Sequence, residues 1–147
     1  MAEIMAATRN QVDEVTNLAM DLWSGHDYNE LRKEFMECME SDKNHVLLYY
    51  EKDKAVAFMY VSIRTDYVEG STSSPTGYIE GIYVKPAFRR KGISKKLFDV
   101  AKKWFIEKEC KQVGSDIEFD NKVSYKLHKS IGFKEAGRLI TFIQDLD

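Results

Sequence analysis

Apolar positions along the chain follow two rhythms. Val12, Val15, Leu18, Ala19 and Leu22 recur at helical spacing, which predicts a helix over 10–23 with Asn10 as its cap. Leu31, Phe35 and Met39 repeat that spacing and predict a second helix over 28–40. The runs "HVLLYY" (45–50) and "AVAFMYVSI" (55–63) flank Glu-Lys-Asp-Lys and read as a hairpin. Residues 3–8 read as a short first strand and "YIEGIYV" (78–84) as another. The segment 68–77, rich in Gly, Ser, Thr and Pro, is a loop, and the only prolines, Pro75 and Pro86, fall in a loop and at a strand end. From Ile93, apolar residues at 93, 97, 100, 101, 104 and 105 form one helical face, with Lys95, Lys96, Asp99, Lys102 and Lys103 opposite. A strand over 112–118, a helix over 121–131 stopped at Gly132-Phe133, and a closing strand over 138–144 complete the order β α α β β β α β α β. That order predicts one α/β domain, residues 1–147, around a mixed sheet.

Composition narrows the function classes. The 147 residues are 44% hydrophobic, enough for one core, and the 31% that are charged are interspersed in sign, which argues against disorder. A net charge of −2 points away from nucleic acid, so any basic site is local. No apolar run approaches the roughly 18 residues of a membrane helix, and "MAEIMAATRN" lacks a secretory pattern. Cys38 and Cys110 are isolated and read as buried thiols, while His26, His45 and His128 have no metal-ligand spacing. The reading is a soluble cytoplasmic protein without a metal.

The densest basic stretch, Arg89-Arg90-Lys91-Gly92-Ile93-Ser94, lies between a strand and a helix. A helix N-terminus offers unpaired N–H groups and the positive end of a dipole, and Gly92 lets a ligand approach the backbone. The stretch reads as a pyrophosphate cradle or, equally, as a basic turn with a glycine for geometry. The wider segment from Tyr78 to Trp104 resembles the acetyl-CoA-binding motif of the GCN5-related N-acetyltransferase (GNAT) family, Arg/Gln-x-x-Gly-x-Gly/Ala after a strand, with Ser94 as a small departure. Asn121 followed by "VSYKLHKSIGF" and the element order also match. The resemblance implies a mixed, mostly antiparallel sheet with helices on both faces and a V-shaped cleft. It implies that the backbone of Ile82, Tyr83 and Val84 meets pantetheine, that Arg89, Arg90, Lys91, Gly92, Ile93, Ser94 and Lys95 hold the pyrophosphate, and that Asn121 bonds the cofactor.

An amine must lose a proton before it attacks a thioester, and carboxylates serve both to bind the cation and to take the proton. The acids near the expected cleft are Asp66, Glu69, Glu80, Asp116, Glu118 and Asp120. Glu80 lies in an otherwise apolar strand, where an unpaired charge is costly. The stretch "SIRTDYVEGSTSSPTGYIEGIYVKPAFRRKGI", with "DLWSGHDYNELR" and "GSDIEFDNKVSYKLHKSIGF", is similar to the short aminoglycoside 6'-N-acetyltransferases. That similarity implies substrate contacts at Trp23, Tyr67, Glu80 and Asp116, with His26 and Asp27 in the same wall, and a homodimer. Glu80 is expected to accept the ammonium proton through a water, Asp116 to position the substrate, and the Val84 amide to polarise the carbonyl. The family's tyrosine near the sulfur is replaced by His128, a candidate acid for the leaving thiolate. The acid that follows Gly-Phe has Glu135 as its nearest match, before Gly137. A polyamine, another small amine or a protein N-terminus remain alternative substrates, and a non-catalytic acyl-CoA sensor is a further alternative.

Overall fold

The computed structural model describes residues 2–147. Strand β1 (Ala2–Ala6) leads into a 3-10 turn at Arg9–Gln11, then α1 (Val12–Leu22) and α2 (Tyr28–Cys38). The turn is capped by Thr8 rather than Asn10: the Thr8 hydroxyl accepts from the Asn10 N–H, and Gln11 Oε1 accepts from the Thr8 N–H at 2.8 Å. Thr-x-x-Gln is a capping box, which competes successfully with the asparagine two residues on. Asp27 caps α2, its carboxylate accepting from the Glu30 N–H at 3.0 Å.

The sheet then forms from β2 (Asn44–Glu51), β3 (Lys54–Arg64) and β4 (Thr76–Val84), followed by α3 (Ile93–Glu107), β5 (Val113–Ser115) and α4 (Lys122–Ser130). Strand order is β1-β2-β3-β4-β5, antiparallel except for the parallel β4–β5 pair. The elements follow the expected order except at the end. Residues 134–147 form no regular structure, so the closing strand over 138–144 is absent. A strand needs a partner for its N–H and C=O groups, and this apolar segment pairs with no other strand among the described residues.

Both faces of the sheet are covered. Val46, Leu48 and Phe58 pack with Val12, Val15, Leu18, Leu31 and Phe35 beneath α1 and α2. Leu47, Met59, Val61, Ile79 and Val84 pack with Ile93, Leu97, Phe98, Ala101 and Phe105 of α3. Double burial explains why β2 and β3 read as continuous apolar runs rather than alternating ones. Helix α3 lies so close to β4 that a side chain at Gly77 would run into the Phe105 ring.

Two local features shape the cleft. The β4–β5 ladder ends at Ile79↔Ser115, which leaves the β5-facing edge of β4 open beyond that point. Opposite β3, the register steps from Val61↔Ile79 to Tyr60↔Gly81, so Glu80 is the extra residue of a β-bulge. The bulge reverses the alternation. Ile79, Ile82 and Val84 share the α3 face, while Gly81 meets Trp23 and Tyr83 joins the α1/α2 cluster.

Candidate active site

Trp23 ends α1, and its ring lies across β4 at Gly81, where an added Cβ would come within 2.7 Å of it. It stacks on Phe35 at 6.5 Å between centroids and meets Phe58 edge-on at 6.2 Å. With His26, Leu31, Glu34, Phe35, Cys38 and Tyr60 it lines a cleft of about 250 Å³. Trp23 is therefore both a core aromatic and a wall of the cleft. Burial raises the pKa of the Cys38 thiol and of the neighbouring Tyr60 hydroxyl, so Cys38 is not poised as a nucleophile.

Beside this wall runs a chain of polar contacts that joins the two carboxylates. Glu80 accepts from Ser62 Oγ at 2.5 Å, from Arg64 Nε at 3.0 Å and from Arg64 Nη2 at 2.8 Å. The Arg64 guanidinium lies 3.5 Å over the Tyr78 ring, and the Tyr78 hydroxyl donates to Asp116. Burial, then the Asp116 bond, pushes the Tyr78 pKa up, so this hydroxyl stays a donor at neutral pH. The Arg64 pKa is raised chiefly by its bonds to Glu80. Ser62, Arg64 and Tyr78 escaped the sequence reading. Their only signal was an arginine and a serine at the polar end of an apolar strand, whose partner on β4 depended on an unknown hairpin register.

The cofactor side is built from β4 and the turn into α3. The Lys85 N–H donates to Val56 O at 2.9 Å, a pair that makes Ala57↔Val84 the neighbouring non-hydrogen-bonded pair. Alternation then turns the backbone groups of Ile82 and Val84 toward the open edge, while those of Tyr83 belong to the ladder with Phe58. Two of the three expected pantetheine contacts are thus free to bond, and Tyr83 is not. The Val84 carbonyl accepts from Arg89 Nε at 2.8 Å, so this arginine ties the turn to the strand. Arg90 and Gly92 have φ of 65° and 77°, and an added Cβ at Gly92 meets nothing within 4 Å. The first turn of α3 therefore presents open N–H groups beside Arg90 and Lys91, with Ile93 and Ser94 buried and Lys95 paired to Asp99 at 3.2 Å. A diphosphate fits this cradle.

Asn121 caps α4, its side-chain oxygen accepting from the Ser124 N–H at 3.0 Å, which leaves its amide N–H₂ for a ligand. His128 Nδ1 faces the Ser124 carbonyl at 2.8 Å, and Nε2 lies 2.7 Å from Ser115 Oγ at the end of the β4–β5 ladder. A carbonyl only accepts, so Nδ1 carries a proton toward Ser124, and Nε2 shares a hydrogen bond with the Ser115 hydroxyl. Ser115 is a fourth residue missed in the sequence, since nothing in "QVGSDIE" distinguishes it.

Other expected contacts lie apart from this group. Tyr67 is 74% exposed on the β3–β4 loop, where its hydroxyl accepts only from the Gly70 N–H. Asp27 is engaged as a helix cap, and His26 is exposed at the rim of the cleft. Glu135 pairs with Arg138 at 3.1 Å, and that bond holds its carboxyl below the usual range. Arg138 in turn covers the Phe119 ring, so Glu135 belongs to the base of the C-terminal arm rather than to the Glu80–Asp116 chain. No three His, Cys, Asp or Glu side chains gather as metal ligands among the described residues, and no helix there is long and apolar enough to cross a membrane.

Comparison with known proteins agrees with this geometry. The profile of the Acetyltransferase (GNAT) family matches residues 12–133. An aminoglycoside N(6')-acetyltransferase type 1 of Salmonella typhimurium (strain LT2) is 33% identical over 95% of this chain and 97% of its own. One from Acinetobacter haemolyticus is 34% identical over 98% and 99%. AAC(6')-Iy in complex with the bisubstrate analog CoA-S-monomethyl-acetylneamine superposes with a TM-score of 0.94 at 30% identity, covering 99% of each chain. The apo crystal structure of AAC(6')-IG from Acinetobacter haemolyticus superposes at 0.93 with 32% identity over 99% of each. A five-stranded sheet splayed beyond Ile79↔Ser115, a glycine-led α3 N-terminus at the open edge and a match across residues 12–133 lead to one conclusion: the chain belongs to the GNAT family of acetyltransferases.

Proposed function

We propose that the enzyme transfers the acetyl group of acetyl-CoA to the 6'-amine of an aminoglycoside antibiotic, directly, in a ternary complex. The observation that carries this reading is the near-complete superposition on AAC(6')-Iy bound to an analog that joins CoA to acetylneamine. The site chemistry supports it. Two carboxylates, Glu80 and Asp116, are joined through Arg64 and Tyr78, and the next residue of β4, Gly81, meets the Trp23 ring, a set suited to an aminosugar bearing several ammonium groups. Acetyl-CoA lies along the open edge of β4, with its diphosphate at residues 89–95. The substrate ammonium gives its proton to a water at Asp116, the more exposed of the two acids. The amine nitrogen then bonds the acetyl carbonyl carbon, whose oxygen takes a hydrogen bond from the Val84 N–H. As the C–S bond breaks, the departing thiolate takes up the second proton that the amine nitrogen sheds on becoming an amide.

Two further readings belong with this one. The C-terminal arm exposes Leu139, Ile140, Phe142, Ile143 and Leu146, with Ile143 at 97%, and a second copy of the chain covering them would form a homodimer. Two free thiols and acetyl-CoA as co-substrate fit a cytoplasmic, reducing compartment, and detoxification of the drug there would confer resistance.

The test is CoA release from acetyl-CoA with kanamycin, tobramycin, spermidine and a short peptide. Turnover on the aminoglycosides with the new amide at the 6' nitrogen is expected. Turnover on spermidine or peptide alone would overturn the substrate while leaving the cofactor.

A further inference from the structure

We infer that Arg64 is a positioning residue for the transfer, holding Glu80 as a fixed anion that grips a substrate ammonium instead of accepting its proton. The inference rests on the aminoglycoside reading and revises the role that the sequence suggests for Glu80. A carboxylate offers about four acceptor sites. Three on Glu80 are filled, two by the Arg64 fork and one by Ser62. The remaining site, on Oε1, suits one ammonium N–H. A proton placed there would neutralise the carboxylate against a guanidinium and break a bidentate charge-assisted pair.

The clamp is held from several sides. Glu80 is the extra residue of the bulge, so its backbone is fixed on the face that carries Ser62 and Arg64. Arg64 is in turn flattened on Tyr78, whose hydroxyl engages Asp116. One guanidinium therefore orients both carboxylates. It also leaves this chain of contacts with one cation against two acids, so binding falls to substrates that bring enough ammonium groups to share them. The titratable groups around Glu80 are Arg64 and Tyr60 on β3, Tyr78 on β4, Asp116 after β5 and Cys38 on α2.

Steady-state kinetics with acetyl-CoA and kanamycin across pH would test this in wild type, Arg64→Gln, Arg64→Lys and Glu80→Gln. Arg64→Gln should lower kcat/KM for kanamycin about tenfold or more while the acetyl-CoA KM stays within about twofold. Arg64→Lys should recover little of it, because an ammonium keeps the charge but not the fork. Glu80→Gln should raise the kanamycin KM about tenfold and keep the acidic limb of the kcat profile. Loss of that limb in Glu80→Gln would make Glu80 the base and overturn the inference, as would an Arg64→Gln enzyme with wild-type constants. If Arg64→Gln does not fold, the Glu80→Gln profile decides alone. A wild-type enzyme that turns over no aminoglycoside overturns the functional reading and this inference with it, whereas wild-type turnover with unaltered variants overturns only this inference.

Discussion

Gly92 shows how much one residue carries in this fold. Its φ of 77° is disfavoured by about 1–2 kcal/mol for a residue with a side chain, and open space surrounds the place where a Cβ would stand. Gly92→Ala should therefore lose only about that much stability in urea unfolding. Its acetyl-CoA KM should rise about tenfold, because the methyl group stands where the diphosphate approaches, with the kanamycin KM nearly unchanged. An unaltered acetyl-CoA KM would remove the cradle from the α3 N-terminus. Gly92 was legible in the sequence as a turn residue, because a glycine between a strand and a helix in a basic run stands out by position alone. Arg64 was not, because its meaning depends on Glu80 sixteen positions away. Only the β3–β4 register, set across a long loop and a bulge, brings the two side chains together.

At the scale of elements, helix caps and ligand sites compete for the same side chains. Asp27 and Asn121, both expected to touch ligands, cap α2 and α4. For Asn121 the two roles separate by atom, since the oxygen caps and the N–H₂ is free. Asn121→Ala should cost about 1 kcal/mol of stability, and Asn121→Asp should restore it, because the two residues cap equally well. If Asn121 also holds the cofactor, Asn121→Asp keeps a raised acetyl-CoA KM although its stability is wild type. Equal recovery of both quantities would show a cap and nothing more. The bulge at Glu80 is the other element-scale device. Without it strict alternation would not set Glu80 on the face of β4 where Gly81 meets Trp23.

For the whole molecule, the C-terminal arm is the feature a lone chain accounts for least well. Phe142 is 91% exposed among four other large apolar side chains, in a segment whose pattern reads as a strand. A chain ended after Gly137 should sediment as a monomer where the full chain sediments as a dimer, and should keep a cooperative thermal transition because the core residues all precede it. A monomeric full-length chain at micromolar concentration would overturn the dimer.

By itself, the sequence determined the alternation of helices and strands as far as α4 and the basic, glycine-led turn between β4 and α3. These follow from local periodicity and from the chemistry of adjacent residues, which survive any arrangement in space. Tertiary structure decided that Glu80 is ion-paired, that Ser115 stands between His128 and the cleft, that the Tyr83 backbone is spent on the ladder, and that 138–144 is no strand in the single chain. Each of those depends on strand register or on a partner for an edge, and neither is written in the spacing of apolar residues.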